Sequence, residues 1–460
     1  MVFTNFFYVN WKQISALICV FFFVSQVGAQ NPTSPYSATG IGDRWSLDHS
    51  FFSGLGNNTV SFFDSTVLNT YQPASYNTMA VGQPLFSIGI SSKYVTSSNQ
   101  TSSYSNFNAV IDHFGLGMHF KKHFGLAFGL KPFSTRGYEL TQRVKVGDDS
   151  LKYIYQGKGG TNQAFVGFSS NIIKLRTLTW AVGTNMSYLF GSVYNERKSL
   201  IISSSALSGG VDQHNLRFQS FYYELGTYLK KEIGEHHSVT LSGVFQPNQK
   251  IRAKLDEFVA YSTNVNNPSL YDTLTARDQV KGNVQLGNVY EFGLNYAFSF
   301  RDRQGKSDDF RNSQLNILLS YRLAESSNYK TNFNSIEQTL DYINAYSINF
   351  GIQYAPEYRY HDNSILTNVL EKTRYRVGMY HRGLPTKING KQVIDQGLTF
   401  GFGIPILAQQ SLSQINLGFT YGKRGEISSS SIQEKYFGIN IGVTLAPSNF
   451  DRWFRKRKLD

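Results

Sequence analysis

The chain has 460 residues, which is long enough for two or three soluble domains or for one large barrel, and no break in composition divides it. Its 36 Phe and 29 Tyr dominate a 15% aromatic share, whereas only 16% of the residues are charged, which is poor for a soluble surface. The net charge is +13, and the single cysteine, Cys19, excludes disulfides, a cysteine nucleophile and cysteine-ligated zinc from the rest of the chain.

The first 29 residues have the features of a secretory signal peptide. Lys12 precedes an apolar run at residues 14–24, and small residues then lead to Ala29, where a signal peptidase would cut. The apolar run is about half of the roughly 20 residues that a membrane-spanning helix needs. We therefore expect export of a mature chain that begins at Gln30.

Residues 30–83 form a different region, which is rich in Pro, Gly and Asn and shows no strand periodicity. The region is too structured in its composition for a simple tail, and it does not belong to a regular sheet. We predict that it folds into the lumen of a barrel as a plug. The alternative is a loose periplasmic arm.

From residue 84 to residue 447, large apolar residues alternate with small or polar ones. In the last such segment Phe437, Ile439 and Ile441 alternate with Gly438 and Asn440, and this period of two indicates a strand with one apolar face. The pattern predicts about fourteen strands, at residues 84–97, 104–121, 123–147, 151–171, 176–201, 211–232, 236–262, 276–302, 311–330, 338–355, 371–383, 394–407, 411–424 and 432–447.

The chemistry of the two strand faces separates a membrane barrel from a soluble sandwich. A soluble sandwich carries charge on its outer face, whereas here the second face is mostly Gly, Ser, Asn, Thr and Ala. Small polar residues suit a lumen, and an outward band of Phe and Tyr suits lipid. We predict an all-β fold, a transmembrane antiparallel up-and-down β-barrel in the bacterial outer membrane.

The connections between the strands support this prediction. With both termini periplasmic, the periplasmic turns should be short and the outer loops long. Residues 121–123, 234–236 and 409–410 are short, whereas 202–214 and 263–277 are long. The connections at 303–310 and 356–370 are exceptions that are longer than a tight turn, either because they are periplasmic excursions or because the predicted strand register slips there. The basic and aromatic tail at 448–460 is predicted to be periplasmic, as an interfacial anchor or as a docking peptide.

Several short motifs carry a family resemblance. They are Ser-Pro-Tyr-Ser-Ala-Thr-Gly-Ile-Gly-Asp at 34–43, Gln-Pro-Ala-Ser-Tyr at 72–76, Gly-Leu-Lys-Pro-Phe-Ser-Thr-Arg-Gly-Tyr at 129–138, and the tail at 451–458. With them the chain resembles the Bacteroidota branch of the FadL-like outer-membrane proteins. The resemblance implies fourteen strands around an N-terminal hatch, whose residues here are Pro35, Tyr36, Gly40, Gly42, Asp43, Pro73 and Ala74. Gln72 departs from the usual Asn-Pro-Ala motif.

The same resemblance implies a function. FadL-type members take up long-chain fatty acids or aromatic hydrocarbons and release them through a kinked third strand, and similar barrels of the same lineage are accessory subunits of secretion and barrel-assembly machinery. In this chain a proline and a glycine could produce the kink, and cations could bind a carboxylate head group. The candidate ligand path is Lys131, Pro132, Arg136, Gly137 and Tyr138. The alternative is an ordinary strand end with solvated cations.

No pattern in the sequence indicates catalysis or a metal site. His119 and His123 have a spacing that would bring them together only on a helix, and no Gly-x-Ser-x-Gly motif is present. We expect no catalytic residues, no metal and no cofactor. The expected partners are outer-membrane lipid, a hydrophobic small molecule and possible envelope proteins, but not nucleic acid. The leading hypothesis is uptake of hydrophobic small molecules, and the alternative is a non-transporting accessory barrel.

Overall fold

The structure is a computed structural model that describes residues 34–44, 49–120, 123–146, 149–202, 208–300, 313–356, 365–406, 413–428 and 431–446. The predicted signal peptide at 1–29 and the predicted tail at 448–460 lie outside these residues, as do 303–310 and most of 356–370. Within the described part of the chain, no helix is long and apolar enough to cross a membrane.

Antiparallel strands make up most of the chain after residue 84. The first nine are β1 (Leu85–Ser98), β2 (Ser103–Phe120), β3 (Phe124–Val146), β4 (Asp149–Lys174), β5 (Leu178–Ile202), β6 (Gly209–Ile233), β7 (His237–Gln246), β8 (Gln249–Ser262) and β9 (Tyr271–Leu286). The others are β10 (Val289–Ser299), β11 (Gln314–Ala324), β12 (Lys330–Phe333), β13 (Ile336–Thr339), β14 (Ala345–Ala355), β15 (Arg374–Ile388), β16 (Lys391–Pro405), β17 (Gln414–Arg424) and β18 (Gln433–Leu445).

Helical structure is minor among the described residues. The α-helix α1 (Ile365–Lys372) precedes β15. Short 3₁₀ helices are found at Pro35–Ser37, Phe52–Leu55, Pro73–Thr78, Pro268–Leu270 and Ser326–Asn328. Three of these five lie before β1, in the region that the sequence distinguishes from the barrel wall.

Fourteen of the strands close into a ring. β1 pairs with both β2 and β18, and the ring continues from β7 to β10 and from β11 to β14. The other four strands, β8, β9, β12 and β13, extend the sheet at the loop end, where β8 pairs with β6 and β9 pairs with β12. The predicted antiparallel barrel of fourteen strands is confirmed.

Two long predicted strands are each interrupted once. Residues 236–262 divide into β7 and β8 at Pro247 and Asn248, and residues 276–302 divide into β9 and β10 at Gly287 and Asn288. Pro247 has no N–H to give to a sheet ladder. At the break the N–H of Asn248 donates to the side-chain oxygen of Asn288, 2.7 Å away. A side-chain amide therefore replaces the backbone carbonyl that accepts such a hydrogen bond elsewhere in the sheet.

The apolar side chains of the strands point outward and the polar side chains point inward, which is the reverse of a soluble protein. In β18 the side chains of Phe437 and Ile441 are 45% and 48% exposed, whereas Asn440 is completely buried. A soluble sheet exposes its polar face, while a membrane barrel turns its apolar face to lipid. The outer surface is therefore suited to a bilayer.

The first described residues lie partway along the inside of the barrel. The predicted mature N-terminal end at Gln30 is outside the described residues, so its periplasmic position stays a prediction. Ser34, the first described residue, donates its N–H to the carbonyl of Gly137 at 2.7 Å, and Gly137 lies well along β3 toward the loop end. The chain then descends through the barrel, because Gly82 donates to the carbonyl of His119, near the short-turn end of β2.

Candidate functional site

Residues 34–44 and 49–83, here called the N-terminal segment, lie within the ring of strands. The hydroxyl of Tyr76 donates to Asn185 of β5 at 2.8 Å. On another side of the ring, the N–H of Gly56 donates to the hydroxyl of Thr399 in β16 at 2.9 Å. Because one short segment bonds to strands this far apart in the ring, it crosses the lumen.

Glycines on the inner face of the wall give the N-terminal segment room for close approach. A Cβ placed on Gly183 would lie 2.5 Å from the carbonyl carbon of Pro73, and one on Gly125 would lie 2.2 Å from that of Tyr76. Real Cβ atoms do not approach other heavy atoms this closely. The alternating glycines therefore allow contact between two backbones at these points, rather than free space in the lumen.

The motif at Gln72, Pro73 and Ala74 fits tightly against the wall. The side-chain oxygen of Gln72 accepts the N–H of Ala74 at 3.3 Å and so caps the 3₁₀ helix that Pro73 begins. Its amide nitrogen donates to the carbonyls of Thr227 and Gly243, in β6 and β7, at 3.4 and 3.3 Å. Glutamine therefore caps the turn and also reaches the wall.

The five hatch residues predicted between residues 35 and 43 lie together near the loop end. Pro35 begins a 3₁₀ helix that the Ser34 side chain caps, and the Tyr36 hydroxyl donates to the carbonyl of Ile432. Gly40 and Gly42 have positive φ angles of 62° and 98°, which favour glycine because it lacks a Cβ.

Asp43 ties this part of the segment to the far wall through a buried arginine. Arg424 of β17 donates to Asp43 at 2.8 Å and to Asp395 of β16 at 3.1 Å, and its ion pair with Glu434 of β18 measures 3.8 Å. All four side chains are buried. Buried charges are stable only when they are paired in this way. Removing one member of the group would therefore leave buried charge without a partner.

The ladder between β2 and β3 stops partway up the barrel. The two strands pair from Phe120 opposite Phe124 to Phe114 opposite Leu130 and no further. Residues 103–113 of β2 pair only with β1, and residues 131–146 of β3 pair only with β4 within the sheet. This interruption, between residues 103–113 and 131–146, is called the wall gap below.

The N-terminal segment occupies part of the wall gap. Asp43 donates its N–H to the carbonyl of Thr135 at 2.8 Å and accepts the N–H of Thr135 at 3.0 Å. Both hydrogen bonds lie on the edge of β3 that faces away from β4. This is the edge with which β2 would otherwise pair. Residues 133–137 of β3 are all buried in succession, because this stretch is covered on both faces.

The two predicted cations of the ligand path both hold the N-terminal segment. Lys131 donates to the carbonyl of Thr70 at 2.9 Å, and its ion pair with Glu224 measures 3.5 Å. Arg136 donates to the carbonyls of Ser37 and Gly40 at 3.1 and 2.6 Å. Lys131 and Arg136 are 2% and 1% exposed, so they are not the solvated cations of the alternative interpretation.

The other three predicted path residues lie at the same place on β3. The register against β4 shifts between Pro132 and Ser134, which is a bulge, whereas Gly137 pairs regularly with Lys158. The hydroxyl of Tyr138 donates to the side chain of Asn195 at 3.1 Å. The irregularity of the third strand is therefore at its proline, not at its glycine.

Ser87, His113 and Asp112 form a buried hydrogen-bonded group that no sequence motif indicates. Ser87 contacts His113 at 2.7 Å, and His113 contacts Asp112, its neighbour at a bulge in β2. The order is that of a hydrolase triad, but Asp112 also accepts the N–H of Ser50, and His49 stacks on His113 at 3.9 Å. This hydrogen-bonded group therefore anchors the N-terminal segment.

The imidazole of His49 is uncommonly hard to protonate. Burial has the largest effect, followed by the neighbouring His113 and Lys131, and together they lower the pKa of His49 well below its usual value.

The cavity beside the first residues of the N-terminal segment is small. A cavity of about 70 Å³ lies between residues 36–44 and the wall around Leu286 and Tyr329, which is smaller than the several hundred Å³ of sites for drug-sized ligands. Among the described residues no group of three or more His, Cys, Asp or Glu could hold a metal ion.

The comparisons with known proteins agree with this architecture. The model of the family described as BamG matches residues 11–460. The chain belongs to the BamG family. A search of curated proteins finds no match to this BamG-family chain.

Solved structures share the fold of this BamG-family barrel. The P. putida toluene transporter TodX has a TM-score of 0.51 and 12% identity, over 87% of this chain and 99% of that one. The Ralstonia pickettii toluene transporter TbuX gives 0.50 and 13%, over 87% and 99%, and a Pseudomonas aeruginosa FadL homologue gives 0.50 and 10%, over 87% and 98%. At these identities the likeness shows the fold alone.

Proposed function

We propose that this BamG-family barrel admits hydrophobic small molecules, of the fatty acid or hydrocarbon type, across the outer membrane. The observation that carries the proposal is at Thr135, where the N-terminal segment replaces β2 as the neighbour of β3. A movement of this segment would open the wall between β2 and β3. The segment at residues 30–83 would then act as a hatch, and the barrel would perform no chemistry.

The outer side of the wall gap suits an apolar molecule. Phe107, Ile111 and Phe114 of β2 are exposed on the outer surface beside it. Burial of apolar surface drives such a molecule toward these side chains and toward lipid. The named toluene transporters TodX and TbuX share the fold, which supports a substrate of this class.

The inner side of the gap offers cations that could hold a carboxylate. Lys131 lies over the ring of Tyr71 at 4.3 Å and is paired with Glu224. A fatty acid head group could replace Glu224 or the Thr70 carbonyl as its partner, because an ammonium ion binds any carboxylate by charge-assisted hydrogen bonds. In this proposal Lys131, Pro132, Arg136, Gly137 and Tyr138 form the ligand path.

A reversible cross-link tests the proposal. Asp43 and Thr135 form a hydrogen-bonded antiparallel pair, whose Cα atoms lie about 5.5 Å apart, within disulfide range. The double variant Asp43→Cys with Thr135→Cys, oxidised and placed in liposomes, should lose uptake of a fluorescent fatty acid. Uptake should return after reduction.

The single variant Asp43→Cys is the matched control, since it loses the same contact with Arg424 without forming the cross-link. It should transport equally well in oxidant and in reductant. Equal uptake by the oxidised and the reduced double variant would contradict the proposed opening at the wall gap.

A second candidate function follows from how firmly the N-terminal segment is held inside the barrel. Arg424, Lys131 and Arg136 all bind the N-terminal segment, and the cavity beside residues 36–44 is small. These contacts favour a permanently filled barrel, which would serve as an accessory or scaffold subunit of an outer-membrane complex. Purification in mild detergent followed by mass spectrometry separates the two functions, because stoichiometric protein partners support the second and bound fatty acid supports the first.

The proposal includes the ends of the chain. We infer that residues 1–29 direct export and that residues 448–460 form a periplasmic tail. The basic and aromatic character of that tail favours an anchor at the membrane interface.

A further inference from the structure

A second cavity, of about 430 Å³, lies at the short-turn end of the barrel. One side is formed by residues 63–65 and 77–81 of the N-terminal segment, and the other by the ends of strands that meet the short turns. Its lining is mostly polar and rich in amides: Asn77, Asn171, Asn295, Gln314 and Asn316. This composition differs from that of the dry, aromatic pocket that a hydrocarbon needs.

Two of the residues that line this cavity carry buried acceptors. His119 is 3% exposed, and its Nδ1 lies 2.7 Å from the carbonyl oxygen of Met79. A carbonyl only accepts, so Nδ1 carries the proton and Nε2 of the uncharged ring presents a lone pair. In the described part of the chain neither this Nε2 nor Oδ1 of Asn295, which is 5% exposed, has a hydrogen-bond partner. A ligand at this place must therefore supply N–H or O–H donors.

Positive charge borders the same cavity. Lys174 at the end of β4 and Lys230 near the end of β6 both line it, and Lys230 also pairs with Glu232 at 3.4 Å. The one acidic residue of the lining, Asp64, is already paired with Arg374 at 3.0 Å. The cavity thus has interior acceptors and cationic groups at its border.

We propose that this cavity binds an acidic, extended polypeptide segment of a periplasmic protein. The peptide N–H groups would donate to His119 and Asn295, while acidic side chains would pair with Lys174 and Lys230. A free phosphate satisfies only the lysines, and a neutral sugar satisfies only the acceptors, whereas an acidic peptide satisfies both. This site is independent of hydrophobic uptake through the wall gap.

Titration of the full chain in mild detergent tests the proposal. The probe is the capped peptide acetyl-(Glu-Gly)₃-amide, and saturation-transfer NMR is the readout because it detects weak binding. The peptide with Gln in place of Glu should bind about tenfold more weakly, since two partly exposed ion pairs are lost. Inorganic phosphate and a neutral hexasaccharide each satisfy only part of the site, so neither should displace the acidic peptide at an equal concentration.

Variants locate the binding. The double variant Lys174→Gln with Lys230→Gln should weaken binding by about tenfold, and Asn295→Leu should weaken it with an unchanged salt dependence. Lys231→Gln is the matched control, since this exposed lysine adjoins Lys230 on β6 but does not line the cavity. The proposal is overturned if the acidic peptide does not bind, if inorganic phosphate or the hexasaccharide displaces it at an equal concentration, or if Lys231→Gln weakens binding as much as the double variant.

Discussion

Arg136 joins β3 to the N-terminal segment through the carbonyls of Ser37 and Gly40. A lysine at this place keeps the charge but lacks the planar fork that reaches several acceptors at once. We expect Arg136→Lys to leave one buried carbonyl without a donor, at a cost of about 2 kcal/mol in local stability. Hydrogen exchange of residues 34–44 should then become faster, by roughly thirtyfold for that free energy.

The control for this change is Arg143→Lys, an equivalent substitution at an exposed position on the same strand. It should leave the exchange of residues 34–44 as it is in the unaltered chain. If both variants exchange alike, Arg136 does not hold the segment.

Asp64 makes the fit of the N-terminal segment depend on pH. Burial raises the pKa of its carboxyl, but Arg374 and the N–H and hydroxyl of Thr66 outweigh burial, so the pKa is lower than the usual 3.8. A group with a lowered folded-state pKa stabilises above its unfolded pKa, and this contribution is lost as pH falls through the folded value. The segment should therefore loosen in acid below about pH 4.

Thermal melting of the purified chain and of Asp64→Asn measures this effect. The variant should melt at a lower temperature near pH 7, and the difference should shrink toward about pH 3, where the native carboxyl also loses its charge. A difference that is the same at both pH values would show that the ion pair with Arg374 is not its cause.

At the scale of elements, the inner faces of the strands are matched to the backbone of the N-terminal segment. Gly183→Ala would place a Cβ 2.5 Å from the carbonyl carbon of Pro73, whereas Gly243→Ala meets nothing closer than 3.6 Å. We expect the first variant to lower the melting temperature and to increase proteolysis of residues 49–83. The second variant should melt like the unaltered chain, since its Cβ makes only ordinary contacts.

Strand β3 shows what periodicity predicts and what it cannot. Alternation predicted a strand at 123–147, and the structure has Phe124–Val146. Alternation cannot tell which neighbour a strand pairs with, so the early end of the ladder with β2 was not predictable from apolar spacing. Pro132 was a usable signal for the irregularity, because proline cannot donate to a ladder.

The barrel has a predicted orientation in the membrane, with the long loops at the cell surface. If the long loops are outside, a cysteine in the β1–β2 turn should be reached from the cell surface, and one in the short β4–β5 turn should not. Thr101→Cys and Thr177→Cys provide a pair with the same residue type, and both positions are exposed. A membrane-impermeant maleimide should label only Thr101→Cys on intact cells, and both after lysis. Labelling of Thr177→Cys alone on intact cells would reverse the orientation.

The sequence by itself determined the barrel. A period of two with apolar residues such as Phe437 on one face and Asn440 on the other requires a strand with lipid on one side, and this information is local. Fourteen such segments then define the wall, because antiparallel neighbours in sequence pair with each other. Pro73 and Asp43 belong to short motifs of the N-terminal segment, and their role in a hatch stays a prediction.

Only the tertiary structure decided what the charged residues do. In the sequence Lys131 and Arg136 could be solvated or could bind a ligand, but the folded chain surrounds them with carbonyls of the N-terminal segment. The contacts of Asp43 with Thr135 and Arg424 join residues far apart in the chain. No local pattern encodes such pairings, because they depend on how the segment crosses the lumen after the ring has closed.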